Sequence, residues 1–261
     1  MSEDETALLY RRDGHVARIT FNRPAALNAI DAEVARRFFA ACSDIAADAD
    51  VRAVVIDGAG RSFVAGGDLK AFQRDPAGVA RDLVEPMHAG LRRLAESPAP
   101  VLASVHGAVA GAGLSLVLAC DLAIAAEGTR FNLAYLNVGA SSDLGASWTL
   151  PRVVGLRKAA ELALLNPTLD ADEACRIGMV NWVVPAESRQ AQADAITSRL
   201  VDGPPLATGR MKRLLREAYS RDFAAQLDAE REAFDACTVT EDFGEAVEAF
   251  FAKRPARYRG R

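Results

Sequence analysis

Several features that would tie this chain to a membrane, a nucleic acid or a metal are missing from its sequence. Its 261 residues carry 31 Lys and Arg against 35 Asp and Glu, a formal net charge of −4 at pH 7. The two signs are interspersed, so no basic stripe follows a phosphate backbone and no nucleic-acid partner is expected. A membrane span needs about 20 mostly apolar residues in a row. The longest apolar stretch, Ala108 to Ala126, is broken by Gly111, Gly113, Ser115 and Asp121, so it reads as core and no membrane partner is expected. The opening Met-Ser-Glu-Asp-Glu is acidic and has no apolar h-region, so no signal peptide is expected. There are four cysteines, Cys42, Cys120, Cys175 and Cys237, widely separated and with no C-x-x-C. Reduced thiols in a cytoplasmic protein are the expectation. No grouping of His, Cys, Asp and Glu has metal-ligand spacing, and no metal is expected. The G-x-S-x-G of a serine nucleophile is absent, as are internal repeats and low-complexity segments.

What is present is half apolar and a quarter charged, a composition that suits one large α/β domain with a small helical appendage. Alternating apolar residues from Leu8 to Phe21 around Asp13-Gly14 predict a hairpin. Asn22-Arg23-Pro24 ends it. Asp31 then caps a helix whose apolar positions are Val34, Phe38, Phe39 and Ile45. A buried strand from Val51 to Ile56 is followed by a helix over roughly Val79 to Ala95, which Pro98 and Pro100 end. Strands at Val101–Val105 and Leu122–Ala126 flank an apolar helix after Gly111. This alternation predicts stacked β/α units. Beyond about Asp170 helical patterns dominate: Ala171–Ile177, Gln190–Leu200, Pro205–Tyr219, Phe223–Cys237 and Asp242–Phe251. The last is amphipathic, with Phe243, Val247, Phe250 and Phe251 on one side.

Two glycine-rich loops carry the chemistry. Residues 61–70 read RSFVAGGDLK after the strand ending at Ile56. Consecutive glycines let a backbone N–H face a ligand with no Cβ in the way. Residues 100–121 read PVLASVHGAVAGAGLSLVLACD, a strand, a glycine turn and an apolar helix. A helix N-terminus offers free N–H groups and about half a positive charge to an anion. Gly111 and Gly113 begin a G-x-G-x-x-G, but the third glycine is absent, which removes the dinucleotide reading. In residues 139–150, GASSDLGASWTL, Asp143 suits a helix N-cap, and a capping role does not exclude a catalytic one.

These loops resemble the crotonase (enoyl-CoA hydratase/isomerase) superfamily. Phe63, Ala65, Gly66, Asp68, Leu69 and Lys70 match its Phe-x-x-Gly-x-Asp-[Ile/Leu]-Lys signature. The second loop is similar to its Asn-Gly-x-x-x-Gly-Gly-Gly…Cys-Asp segment, with His106 in the Asn place and Ala112 in the middle-glycine place. The resemblance spans nearly the whole chain, from Asn22-Arg23-Pro24…Leu27-Asn28-Ala29 to Phe251-Ala252-Lys253-Arg254. It implies the crotonase (ClpP/crotonase-like) α/β fold of repeated ββα units with a C-terminal helical region. The expected division is a core over residues 1–195 and a trimerisation region over residues 196–261, in a homotrimer or homohexamer. It also implies an acyl-CoA substrate, with coenzyme A part of that substrate and no separate cofactor. The N–H groups of Gly67 and Ala112 are then the oxyanion donors. Ala65, Gly66, Asp68, Leu69, Lys70, Leu27 and Lys253 are the implied residues around the CoA thioester.

Typical enoyl-CoA hydratases place two water-handling glutamates where this chain, by ungapped counting, has Ser115 and Tyr135. Both carboxylates are therefore missing. Ser115 reads as helix packing. Asp143 stands where phenylacetate-type isomerases, which the chain resembles most in pattern, carry their sole catalytic carboxylate. It also stands where 4-chlorobenzoyl-CoA dehalogenases carry the attacking aspartate. Those dehalogenases are similar at His88 too, and at the Tyr135 position they have a tryptophan that hydrogen-bonds the aspartate. The expected catalytic set is Asp143, Gly67, Ala112, Tyr135 and His88. The expected reaction is double-bond isomerisation. Hydration, dehalogenation by Asp143 and non-catalytic CoA-ester binding remain alternatives.

Overall fold

The computed structural model describes residues 6–261; the acidic opening pentapeptide lies outside the described residues. The chain runs β1 (Leu8–Asp13), β2 (Val16–Phe21), α1 (Ala32–Ala47), β3 (Ala53–Gly58), α2 (Leu69–Arg74), α3 (Glu85–Glu96), β4 (Val101–Val105), β5 (Ala108–Ala110) and α4 (Ala112–Ala119). It continues through β6 (Leu122–Ala126), β7 (Arg130–Asn132), α5 (Ala146–Val154), α6 (Leu156–Leu164), β8 (Leu169–Asp170), α7 (Ala171–Arg176), β9 (Trp182–Val184), α8 (Arg189–Val201), α9 (Pro205–Glu217), α10 (Phe223–Thr238) and α11 (Glu241–Phe251).

Six strands form one sheet in the order β1-β2-β3-β4-β6-β9. The β1–β2 hairpin is antiparallel and every other pair in this sheet is parallel. The central strands β3 and β4 are almost wholly apolar and buried, as parallel strands covered on both faces must be. A small second sheet, β5-β7-β8, lies beside the glycine loops. Asp31 caps α1 by accepting from Val34 N–H, as its sequence predicts. The predicted helix from Val79 starts as a π-helical turn over Ala80–Val84 before α3 begins. Pro86, in the first turn of α3, has no N–H to continue a regular ladder through that point.

The helical C-terminal part starts from α8, which crosses residue 196 and inserts Ala193 between Leu102 and Ile124 on the main sheet. Beyond it, α9 is fastened by a buried lysine. Lys212 Nζ donates to Leu94 O and Ala99 O at 2.9 and 2.7 Å and pairs with Asp121 at 3.1 Å. Helix α10 buries none of its side chains. On α11 the predicted apolar side is open, with Phe250 and Phe251 each nearly four-fifths exposed. No helix among the described residues is long and apolar enough to cross a membrane, and the four cysteines are free.

Candidate active site

The two glycine loops meet side by side. Val64 pairs with Val109 in an isolated parallel bridge, and Ala110 N–H donates to Val64 O at 3.0 Å. Gly113 is required at this contact, because a Cβ there would collide with the Val64 carbonyl. On the other flank, Ile30 N–H donates to Gly66 O and Asp68 N–H to Ile30 O, at 2.9 and 2.8 Å. In such a parallel bridge the residue between the two bonds turns its own N–H and C=O the opposite way. That residue is Gly67, and its N–H meets no acceptor among the described residues. Ala112 is the first residue of α4, where a helix has no internal partner for the N–H, and it too meets no acceptor among the described residues. The structure thus brings two unused N–H groups onto adjoining loops.

Asn28 and Arg23, to which the sequence gives no role, hold the first loop in place together with Leu27 and Asp68. Asn28, buried, accepts from Arg23 N–H and aims its amide at the carbonyls of Ala59, Ser62 and Phe63, 2.8 to 2.9 Å away. Leu27, in the left-handed region at φ 51°, accepts from Ala65 N–H at 3.1 Å. Arg23 pairs with both Asp31 and Asp68. The Asp68 carboxylate caps α2 through the N–H groups of Lys70 and Ala71. Burial alone would raise its pKa, but the Arg23 hydrogen bond and the two N–H groups hold it below the usual carboxylate range. Its side chain is therefore committed inside the protein. Leu69 and Lys70 are exposed on α2. Lys253 sits exposed just past α11, and its ammonium has no partner among the described residues.

Asp143 does not cap a helix through its side chain. Helix α5 begins three residues later and its N-cap is Gly145, with no side-chain cap. Only the Asp143 carbonyl serves it, accepting from Ala146 N–H. The carboxylate Oδ1 instead accepts a hydrogen bond from the Tyr135 hydroxyl. Tyr135 Oη lies 2.7 Å from Ser115 Oγ, so Ser115, expected to be packing alone, joins the group. The two positions that lack glutamates and the single carboxylate form one chain of contacts. Burial raises the Asp143 pKa above its ordinary value, and the Tyr135 hydrogen bond opposes the rise. The Tyr135 hydroxyl is pushed up in turn, first by burial and then by the neighbouring carboxylate. Ser141 and Ser142 make no side-chain hydrogen bond to Asp143 among the described residues.

His88 acts on the same loop from α3. Its Nε2 accepts from Leu144 N–H at 3.0 Å. Leu144 is buried at φ 50° and Gly145 follows at φ 79°. Two successive left-handed residues, one of them a leucine, are strained backbone of the kind that surroundings must impose. His88 is the visible restraint. His88 and Leu144 also line a groove of about 1350 Å³ between α3, α5 and α9, whose lining does not include Gly67, Ala112 or Asp143. No cluster of potential metal ligands exists among the described residues.

Residues 11–261 match the family described as enoyl-CoA hydratase/isomerase. The chain is 36% identical to the 1,2-epoxyphenylacetyl-CoA isomerase of Escherichia coli, over 94% of this chain and 95% of that one. It is 35% identical to a probable enoyl-CoA hydratase of Rhodobacter capsulatus over the same shares. Its fold superposes on an enoyl-CoA hydratase from Polaromonas sp. JS666 with a TM-score of 0.90 at 33% identity, covering 97% of this chain and 99% of that one.

Proposed function

Because the chain belongs to the enoyl-CoA hydratase/isomerase family, we propose that it moves the double bond of an unsaturated acyl-CoA thioester. The thioester oxygen accepts from the N–H groups of Gly67 and Ala112, the two unused donors on the adjoining loops. Asp143 removes a proton from the carbon α to the thioester. The electron pair spreads over the dienolate, with charge on the oxygen that the two donors face. Asp143 then returns the proton at the γ carbon, and the double bond comes into conjugation. Removing one comparable donor in other enzymes costs about 2.7–4 kcal/mol of transition-state stabilisation.

The observation that carries this reading is the fate of the two glutamate positions. Ser115 and Tyr135 occupy them and are hydrogen-bonded to each other, and Tyr135 donates to Asp143. Asp143 is thus the carboxylate of that group, and one carboxylate suffices for a 1,3-proton shift. Hydration also needs a group that orients and deprotonates water. Hydration with Asp143 positioning water is the alternative that the hydratase-named relative supports. Ala65, Gly66, Leu69, Lys70, Leu27 and Lys253 are proposed to contact the CoA portion, whereas Asp68 serves by fixing the loop. Asp143→Asn tests the assignment. The amide keeps the shape and can still accept from Tyr135, but it cannot take a proton. KM should stay within a few-fold while kcat falls by orders of magnitude. Near-parental kcat would remove Asp143 from the chemistry.

A further inference from the structure

Helix α4 reads AGLSLVLA, and its one hydroxyl, on Ser115, is completely buried. Burying a hydroxyl is unfavourable unless it is hydrogen-bonded. Ser115 Oγ has two neighbours, Gly111 O at 3.3 Å and Tyr135 Oη at 2.7 Å. Hydroxyl hydrogen bonds cluster near 2.7–2.8 Å and are weak beyond 3.0 Å. The closer partner of the serine hydroxyl is therefore Tyr135.

The direction of that bond has a consequence for the carboxylate. Tyr135 has one proton to give. If it gave that proton to Ser115, it would present lone pairs to the Asp143 carboxylate. If Ser115 donates, the tyrosine proton goes to Asp143 Oδ1, as a contact with an acceptor-only carboxylate oxygen requires. Oδ2 has no side-chain hydrogen-bond partner among the described residues and is left for the substrate.

We propose that Ser115 is a positioning residue for the reaction: by donating to Tyr135 it fixes the tyrosine as a donor to Asp143 Oδ1 and leaves Oδ2 as the oxygen that moves the proton. This rests on the reading of Asp143 as the base. Donation into Tyr135 also makes the phenol a stronger donor, since linked hydrogen bonds polarise one another. That favours the ionised carboxylate, the form the first step needs, against the burial that disfavours it.

The test is a mutant cycle on 3-enoyl-CoA with Ser115→Ala, Tyr135→Phe and the double variant, each followed as a pH profile. Ser115→Ala should lower kcat roughly three- to tenfold, as loss of one hydrogen bond implies, with KM little changed. The acid limb of kcat/KM should move to higher pH. In the Tyr135→Phe background, Ser115→Ala should add no further loss, because its effect passes through the tyrosine hydroxyl. Ser115→Cys keeps the volume with a weak donor and should behave like alanine; it replaces alanine if that variant folds poorly. Independent, multiplying effects of the two substitutions, or an unmoved acid limb, would overturn the proposal, since a packing role changes stability without moving the limb. Asp143→Asn is assayed alongside. If it retains turnover, the base reading falls and this inference with it. If it is inactive while the cycle is additive, only the role of Ser115 falls.

Discussion

At the scale of single residues the site turns on how Asp143 is ionised. Burial raises its pKa above the ordinary carboxylate value of about 3.9. The base form is the ionised one, so kcat/KM should fall about tenfold per pH unit below the folded-state pKa. That limb should lie above the ordinary aspartate range. A profile flat down to pH 4 would contradict it. The same shift has a stability counterpart. Between the unfolded and folded pKa values the folded state binds more protons. Its stabilising contribution is therefore full at low pH and is lost as pH rises through the folded value. Asp143→Asn should accordingly melt higher than the parent near pH 7, and the difference should disappear below the ordinary carboxylate range. The residues in the glycine signature could be read in advance because their spacing is fixed by backbone geometry. Asn28 and Ser115 could not be read that way. Their roles depend on carbonyls and hydroxyls that only folding brings near them, across 31 to 35 positions for Asn28 and 20 for Ser115.

At the scale of elements, the loop between β7 and α5 is held from outside by α3. His88 Nε2 is the acceptor for the Leu144 N–H in a turn with two left-handed residues. His88→Ala should leave that N–H without a partner, lower stability by about 1–3 kcal/mol and reduce kcat by displacing Asp143. His88→Gln, whose amide oxygen can accept, should restore part of both. Denaturant melts and kcat on the same samples check this. Equal kcat in all three proteins would show that the loop holds itself. The long periodic helices and the central strands were legible, with Asp31 marking one helix start. Strands β5, β7, β8 and β9 were not, because two or three residues show no alternation. Helix α5 starts later than its sequence suggests, from a glycine N-cap with no side-chain cap, and carries Pro151 in its interior. Asp143 looks like its cap in the sequence, but Leu144 and Gly145 separate it from Ala146, where the helix begins.

For the molecule as a whole, the feature to account for is the exposed aromatic side of α11 beside α10, which buries none of its side chains. Phe223, Phe234, Phe250 and Phe251 are all more than half exposed in the single chain. A homotrimer or a dimer of trimers is the assembly we propose for it. Light scattering should give three or six times the chain mass of 27.8 kDa, and replacing Phe250 and Phe251 by aspartate should shift it toward smaller species. A monodisperse monomer in the parent would contradict the assembly. The central claim, that this site shifts a proton between carbons and does not add water, is tested most directly by one comparison. It sets kcat/KM for conversion of a 3-enoyl-CoA to the 2-enoyl-CoA against kcat/KM for hydration of that 2-enoyl-CoA at the same chain length. The ratio reports discrimination between the two transition states. Isomerisation should be the faster reaction. Hydration clearly faster than isomerisation would contradict the account and make Asp143 a water-positioning group.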